Sequence, residues 1–323
     1  MSLSAHACRL AGLTLGFLAD AAWGDPRRFH PVAGFGQLAA AVEARRYADS
    51  RGAGVRHVGA LVGGAYGAGL LLKRATERLW LLGLLGTAAA TWAVLGGRSL
   101  RREATAVQTQ LAAGDLPAAR LRLQSLVGRD TAELSTEEVT RAVVESVAEN
   151  TADAVVAPLF WGGVAGVPGL LGYRAVNTLD AMIGHRSPRY VRFGWAAARL
   201  DDAANWLPAR VAGLLTMATA PLVAGSPTDA WWAWRRDGRQ HPSPNAGVVE
   251  AAFAGALGVR LGGRNVYEGR IENRGVLGDG RPVDVGDIAR ACRLSRLVSV
   301  GALASVIALR LVRRPACPAL DLK

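Results

Sequence analysis

Long apolar segments constrain this sequence more than any other feature. Residues 54–72, 79–97 and 294–312 are mostly apolar, and a helix needs about 20 such residues to cross a bilayer. Half of the 323 residues are apolar and only 20% are charged, which disfavours a pair of soluble domains. We predict an all-α, polytopic integral membrane protein. It forms one domain over residues 1–323, with about four to six membrane helices, one of which can be re-entrant, and with extramembrane helices besides.

The charge balance is basic, but the arginines are spread along the chain. Lys and Arg number 38 against 26 Asp and Glu, and only Lys73 and Lys323 are lysines. Guanidinium groups bind phosphates, carboxylates and lipid headgroups, although arginines can equally reflect base composition and anchor membrane edges. Because they are not gathered with exposed aromatic residues, we expect membrane lipid and no nucleic acid as partners.

Cysteine usage and the N-terminal segment both bear on the compartment. Cys8, Cys292 and Cys317 are odd in number and far apart, so neither a disulfide framework nor a thiolate metal site is indicated. A reducing, cytoplasm-facing environment fits this pattern. Residues 10–18 are apolar but are followed by Asp20 and a turn instead of a small-residue cleavage site, so we predict no removed signal peptide.

Residues 98–153 form a charged segment that we predict to be an extramembrane helical insertion. Its first part is broken at residues 114–117, where Asp115 can cap a second helix. The sequence Ser135-Thr136-Glu137-Glu138 is a capping box and predicts that a helix begins near Thr136.

The helix that follows carries one stripe of charged side chains. At 100° per residue these lie within an arc of about 120°, and they are Glu138, Arg141, Glu145, Glu149 and Asp153. A solvated face is the default interpretation of such a stripe. However, the apolar residues 154–161 follow directly, which places the last acids at a membrane boundary where carboxylates are costly. A divalent cation or arginine partners would offset that cost.

Residues 155–172 can be interpreted in two ways. They are apolar but contain Pro158, Pro168 and five glycines, so they either span the membrane or enter and turn back. A second polar cluster, in residues 174–210, comes next. If residues 155–172 crossed completely, the two clusters would lie on opposite faces, so we predict that this segment re-enters or packs internally.

The remaining segments give simpler expectations. Residues 211–224 continue as an apolar helix, and Trp231, Trp232 and Trp234 resemble an interfacial anchor. We expect Ser243 to cap a helix that ends at Gly262-Gly263 and that carries Glu250, as either a buried pair or a ligand. Residues 264–287 are interpreted as a polar loop, and residues 294–312 as the last span.

Common catalytic motifs are absent from the sequence. There is no Walker A motif, no G-x-G-x-x-G after a strand, no H-E-x-x-H and no G-x-S-x-G. Any nucleotide must therefore be held by arginines, backbone amides and a metal. Carboxylates and amides without cysteine suit Mg²⁺. Asp25 and His30 lie in a proline-flanked loop, as either a proton-handling pair or a turn cap and a loop residue.

Several motifs in chain order resemble one family. They are Gly24-Asp25-Pro26 with His30-Pro31-Val32; Arg129-Asp130-Thr131 and residues 145–158; residues 174–180; Arg189-Tyr190; residues 198–205 with Pro208-Ala209-Arg210; Ser243-Pro244-Asn245-Ala246-Gly247; and Leu261-Gly262-Gly263. Together they resemble the cobalamin-biosynthesis family of adenosylcobinamide-phosphate synthases, the CobD/CbiB membrane proteins. The resemblance covers most of the chain; residues 185–188 and 271–281 depart from it.

The resemblance implies a multi-pass enzyme of the bacterial inner membrane. It implies ATP-dependent amide-bond formation between aminopropanol, or its phosphate, and the propionate carboxylate of adenosylcobyric acid. ATP and Mg²⁺ are then expected in the site, and other late cobalamin-assembly enzymes are candidate partners. A carboxylate becomes an acyl donor once its oxygen is phosphorylated, so metal and arginine must neutralise charge there.

Site roles are assigned on the same basis as hypotheses. The metal ligands and phosphate organisers are Glu145, Glu149, Asp153, Asp201 and Asp202, of which Glu149 and Asp202 are also catalytic candidates. His30 and Asp180 are the candidate bases. The groups expected to bind substrate or phosphate are Asp25, Arg129, Asn150, Arg174, Asn177, Arg189, Tyr190, Arg199, Asn205, Arg210 and Asn245.

Two other function classes remain open from the sequence. Asn177-x-x-Asp180 and Asp201-Asp202-x-x-Asn205 loosely resemble the acid pairs of membrane transferases that act on lipid diphosphates, although the repeated Asp-x-x-x-Asp spacing is missing. A transporter would also hold charges between helices, but it would be expected to show inverted repeats, which the sequence lacks.

Overall fold

The computed structural model describes residues 5–25, 30–76, 79–267 and 270–312, and helices account for most of them. The helices are α1 (Ala5–Trp23), α2 (Pro31–Arg46), α3 (Arg51–Thr76), α4 (Trp80–Val94), α5 (Gly97–Ala112), α6 (Leu116–Leu123), α7 (Thr136–Thr151), α8 (Ala157–Ala165), α9 (Val167–Ile183), α10 (Tyr190–Phe193), α11 (Trp195–Thr219), α12 (Pro227–Asp237), α13 (Ala246–Leu257) and α14 (Gly286–Val312). A π-helical turn, Ala152–Val156, joins α7 to α8, and a 3₁₀ turn, Ala220–Val223, follows α11.

Four helical segments in the described part of the chain are long and apolar enough to cross a membrane. They are Arg51–Thr76, Trp80–Ala112, Trp195–Val223 and Gly286–Arg310. The chain is thus a multi-pass, all-α membrane protein, as predicted. The last three segments are longer than the apolar blocks in the sequence, because each continues into a polar helical stretch.

Residues 155–172 do not form one straight span. Pro158 has no N–H, so the carbonyl of Ala154 cannot bond within the helix, and it accepts a hydrogen bond from the Gly96 N–H (3.2 Å) instead. The chain then reverses at Gly166, whose φ of 70° suits glycine, and α8 packs against α9. The predicted internal packing of this segment is therefore what the structure shows.

A second proline has the same effect in α11. Pro208 lies inside this helix and leaves the carbonyl of Ala204 without its usual donor. The indole Nε1–H of Trp161 donates to that carbonyl at 3.0 Å. A helix that carries predicted site residues is thus held against α8 through the carbonyl that proline frees.

The predicted helix starts at α6 and α7 are confirmed. Asp115 accepts a hydrogen bond from the Ala118 N–H (3.0 Å) at the start of α6. The Glu138 carboxylate accepts from the Ser135 N–H (2.8 Å), and the Ser135 hydroxyl accepts from the Glu138 N–H (3.3 Å), which completes the capping box. From Val139 onward α7 is buried almost all round, so a solvated acidic face is the wrong interpretation of its stripe.

Several sequence expectations need correction. Residues 264–287 are not simply a loop, because β1 (Leu261–Tyr267) and β2 (Arg270–Leu277) form an antiparallel hairpin. The preceding helix, α13, ends at Leu257, where Gly258 takes a φ of 67°, and not at Gly262-Gly263. Of residues 211–224, those up to Thr219 are the continuation of α11, and Ala220–Val223 form the 3₁₀ turn.

Other helix limits also differ from those expected. The last helix begins at Gly286, ahead of the predicted span. Helix α13 begins at Ala246, later than the predicted start next to Ser243. The Ser243 hydroxyl nevertheless accepts a hydrogen bond from the Ala246 N–H (3.2 Å). Helix α2 was not anticipated.

Glycines explain the tight packing of α13. A Cβ added at Gly247 would meet the backbone of Gly238, and one added at Gly255 would meet the backbone of Asp229.

The segment predicted as an insertion is part of the main apolar core. Buried residues of α5, α6 and α7 form one cluster with those of α13 and the first half of α14. Two smaller clusters lie elsewhere, one between α3 and α9 and one between α1 and α4. The position of residues 98–153 outside the bilayer stays a prediction.

Candidate functional site

A cavity of about 1310 Å³ lies where α7, the π-helical turn, α9 and α11 meet the loop before α13; we call it the large cavity. Five acids from two distant stretches of sequence line it: Glu149, Asp153, Asp180, Asp201 and Asp202. Arg199, Asn205, Tyr190 and Asn245 line it as well. Because residues 155–172 reverse direction, the two predicted polar clusters share one space.

A short network orients the acids of the π-helical turn and α11. The Tyr173 hydroxyl lies 2.8 Å from the Asn205 Oδ1 and 3.1 Å from the carbonyl of Asp153. The Asn205 amide donates to one oxygen of Asp201 at 3.0 Å. The other oxygen, Oδ1, is buried and has no hydrogen-bond partner among the described residues. Asn205 thus holds one oxygen of Asp201 in place, while the other oxygen is buried without a hydrogen bond from the described part of the chain.

The loop before α13 is held to α11 by an amide. Asn245 donates to the carbonyl of Asp202 (2.8 Å), and it accepts from the guanidinium of Arg210 (2.7 Å). Arg199 pairs with the Asp202 carboxylate at 3.3 Å. Arg210 does not line the large cavity, so its observed contacts support the site from outside.

Burial raises the pKa values of the cavity acids outside the candidate membrane spans, which are Glu149, Asp153 and Asp180. Burial raises the pKa of Asp180 to about 7, and the neighbouring carboxylates of Asp201, Asp202 and Glu149 add to the effect. Burial also raises the pKa of Glu149, partly opposed by the guanidinium of Arg274. Crowded carboxylates of this kind hold a proton or attract a cation near neutral pH.

Glu145 has different surroundings from Glu149. Its Oε2 lies 2.6 Å from the Arg129 Nη2, and its Oε1 accepts from the Gly262 N–H at 2.8 Å. Both members of the ion pair are more than 90% buried. Arg129 and Glu145 therefore connect the loop before α7, α7 itself and β1, and both oxygens of this predicted metal ligand already have protein partners.

A second cavity of about 200 Å³ lies beside that ion pair; we call it the small cavity. Its walls are Leu126, Val127, Gly128, Arg129, Ala142, Glu145, Ser146, Glu149 and Arg274. Gly128, Glu149 and Arg274 also line the large cavity. These three residues form a wall that the two cavities share.

Some predicted site residues lie beside the large cavity without lining it. His30 caps α2, since its Nδ1 accepts the Val32 N–H at 3.2 Å, and its Nε2 lies 3.9 Å from Asp25. That separation is beyond hydrogen-bond reach. Arg174 donates to Asn177 (3.3 Å). The amide of Asn150 instead donates to the Ser146 carbonyl of its own helix, at 2.9 Å.

Arg189 and Tyr190 belong to a cluster around Glu43 of α2. One oxygen of Glu43 accepts from Arg189 (2.9 Å) and from the Tyr190 hydroxyl (3.0 Å). The guanidinium of Arg189 also stacks on the ring of Tyr47, 4.1 Å from its centroid. Of the two predicted residues, only Tyr190 lines the large cavity.

Sequence reasoning missed His241 and Arg274 as cavity residues. His241 is buried, its Nδ1 accepts the Ser243 N–H at 3.0 Å, and its Nε2 lies 3.6 Å from Glu250. Burial, with Arg274 nearby, lowers the pKa of His241 to about 4. The signal available was Glu250, a lone acid on an apolar helix, for which a buried pair was one of the two expectations. Arg274 lay in a segment interpreted as a loop.

No three His, Cys, Asp or Glu side chains in the described part of the chain are close enough to form a ready-made metal site. Mg²⁺ does not require one, because it is usually bound by one or two carboxylates together with water and substrate phosphates. Asp201, which has one oxygen without a hydrogen bond from the described residues, and the four other acids that line the large cavity suit that kind of coordination.

The fold and the cavity define a class: a multi-pass helical membrane protein with a carboxylate-lined cavity between helices. The family follows from comparison. The family model described as CobD/Cbib protein matches residues 13–295, and the chain belongs to the CobD/CbiB family.

Similar proteins cover nearly the whole chain. The "Cobalamin biosynthesis protein CobD" of Mycobacterium tuberculosis strain H37Rv is 54% identical over 315 residues, which are 98% of this chain and 100% of the relative. Those of Geobacter metallireducens and Rhodobacter capsulatus are 47% and 43% identical; they cover 83% and 84% of this chain and 86% of each relative. No solved structure matches the chain.

Proposed function

We propose that this chain is a cobalamin-biosynthesis enzyme that joins aminopropanol, or its phosphate, to the propionate carboxylate of adenosylcobyric acid with consumption of ATP. The relatives' names support the pathway, and the family resemblance supports the reaction. The observation that carries the proposal is the large cavity, in which acids, amides and arginines from separate segments meet. We place the enzyme in the bacterial inner membrane, next to other late cobalamin-assembly enzymes.

The reaction balances in two steps. A propionate oxygen attacks the γ-phosphorus of ATP, so an acyl phosphate forms and ADP leaves. The amine nitrogen then attacks the acyl carbon, the amide bond forms and inorganic phosphate leaves. The ammonium form of the amine must first release a proton to a base. Asp180, with a pKa of about 7, lies in the cavity and suits that role better than His30, whose Nδ1 is used to cap α2.

The size and lining of the large cavity fit a corrinoid and a nucleotide. At about 1310 Å³ it exceeds the roughly 300–1,000 Å³ of sites for drug-sized ligands. Arg199 and Arg274 line it and present cations that can neutralise phosphate charge, while the amides of Asn205 and Asn245 hold its walls together. Mg²⁺, held by Asp201 with Asp153 or Asp202, would neutralise phosphate charge there.

The direct test is amide formation by the purified protein. Adenosylcobyric acid, ATP, Mg²⁺ and each form of the amine are supplied in detergent or nanodiscs, and mass spectrometry detects the product. We expect one product with ADP and phosphate in equal amounts. The exposed Asp229→Asn is the matched control for Asp201→Asn: the first should keep activity and the second should lose it. Prenyl or lipid diphosphate turnover, or corrinoid transport without amide formation, would contradict the proposal.

A further inference from the structure

The two cavities differ in size in a way that suits two different substrates. The small cavity, at about 200 Å³, has room for a compact organic molecule. It cannot contain a corrin ring. Its lining combines the apolar side chains of Leu126, Val127 and Ala142 with charged side chains.

The charges of the small cavity are mixed. Glu149 and Arg274 lie in the wall shared with the large cavity, and the Arg129–Glu145 pair lies behind them. A ligand that has an amino group and a polar tail can place the amino group on Glu149 and the tail among the arginines. A purely apolar or purely anionic ligand would offer no positive charge to the carboxylate of Glu149.

We propose that the small cavity is the binding site of the amine substrate, a small primary amine with a polar tail, and that Glu149 holds the amino group at the wall facing the activated acyl group. This inference rests on the proposed function. It explains how two substrates of very different size reach one reaction centre, since the reacting atoms meet at a wall common to both cavities.

Gly128 offers a test that leaves every charge in place. It lies in the shared wall, and a Cβ added there meets no atom within 4 Å. Gly128→Leu should therefore narrow the passage without displacing the fold. Ala142 lines the small cavity and not the large one, so Ala142→Val reduces that space; because Ala142 is also fully buried in the main core, the Tm of this variant is measured beside the binding data. Gly34→Leu, on α2 and also without a close neighbour, is the matched control.

The readouts are the three Michaelis constants and direct binding. We expect Gly128→Leu and Ala142→Val to raise the KM of aminopropanol phosphate, or of aminopropanol, by about tenfold or more. The KM values of ATP and of the corrinoid should change by less than about threefold, and Gly34→Leu should change none. A rise confined to ATP would assign the small cavity to phosphates and overturn the proposal, as would equal changes for all substrates.

Binding measurements separate this inference from the proposed function. Calorimetry reports aminopropanol phosphate binding, and quenching of tryptophan fluorescence reports corrinoid binding, without any turnover. If the wild type forms no amide, loss of amine binding in Gly128→Leu with retained corrinoid binding still supports the small cavity as the amine site. Unchanged amine binding in both variants would contradict it even in an active enzyme.

Discussion

Glu145 and Glu149 lie one helical turn apart on α7, yet their environments differ. Glu145 is bound on both oxygens by Arg129 and the Gly262 N–H, whereas Glu149 lines both cavities and has a raised pKa. A spacing of four residues places both on one helix face, so the sequence alone could not separate a structural ion pair from a cavity acid. That separation depends on β1 and on the loop that carries Arg129.

The two glutamates are a matched pair for mutagenesis. Removing one partner of a buried ion pair leaves the other charge buried without its partner. Glu145→Ala removes the carboxylate that pairs with Arg129, so it should lower the free energy of unfolding by about 3–5 kcal/mol. Glu149→Gln should retain stability and lose amide formation. Thermal denaturation in detergent and product formation measure the two effects. A stable Glu145→Ala, or a fully active Glu149→Gln, would contradict these roles.

Asp180 gives a prediction for the dependence of activity on pH. As a base it must be deprotonated, so kcat/KM should fall as pH decreases through about 7. Asp180→Asn should be inactive over the whole range. A profile that is flat between about pH 6 and 8 would exclude Asp180 as the base.

The same carboxyl predicts an effect on stability. Its folded-state pKa of about 7 lies above the ordinary value of 3.8 for an aspartic acid, so its contribution to stability is present at low pH and is lost as pH rises towards about 7. Asp180→Asn cannot ionise. It should therefore raise the Tm relative to wild type by more at about pH 8 than at about pH 5. The opposite order would show that the acid is stabilised when charged.

At the scale of elements, two prolines determine how the site is assembled. Pro158 and Pro208 each free a carbonyl, and Gly96 and Trp161 donate to those carbonyls. The prolines were visible in the sequence, and they correctly suggested that residues 155–172 are irregular. The donors could not be identified, because they come from α8 and from the start of α5, and sequence spacing does not specify such tertiary contacts.

Trp161 and Pro208 can be tested by a double-mutant cycle. Trp161→Phe removes the indole donor and leaves the Ala204 carbonyl unpaired, which should destabilise the protein by about 1–3 kcal/mol. Pro208→Ala restores a backbone N–H that can bond the same carbonyl. We therefore expect the Trp161→Phe cost to be smaller in the Pro208→Ala background, measured by thermal midpoints in detergent. Strict additivity would show that the restored N–H does not replace the indole donor at this carbonyl, which contradicts the account.

For the whole molecule, the apolar blocks were sufficient to predict a multi-pass, all-α protein, and residues on both sides of the reversal at Gly166 were placed correctly in one space. The β-hairpin was missed because Gly262, Gly263 and Gly275 take positive φ values that are typical of loops. His241 and Arg274 were missed with it. The 100° spacing of residues along a helix predicts which side chains share a face. It does not show which distant segments of the chain cover that face.

The central claim is that acids from α7 and α11 face one cavity. In a protein whose native cysteines are replaced, Glu149→Cys and Asp201→Cys are labelled separately with a membrane-impermeant maleimide in vesicles of known orientation. We predict that both cysteines react from the same side and that the corrinoid protects both, while the exposed Glu137→Cys on α7 stays unprotected. Labelling of the two positions from opposite sides, or protection of only one of them, would contradict the account.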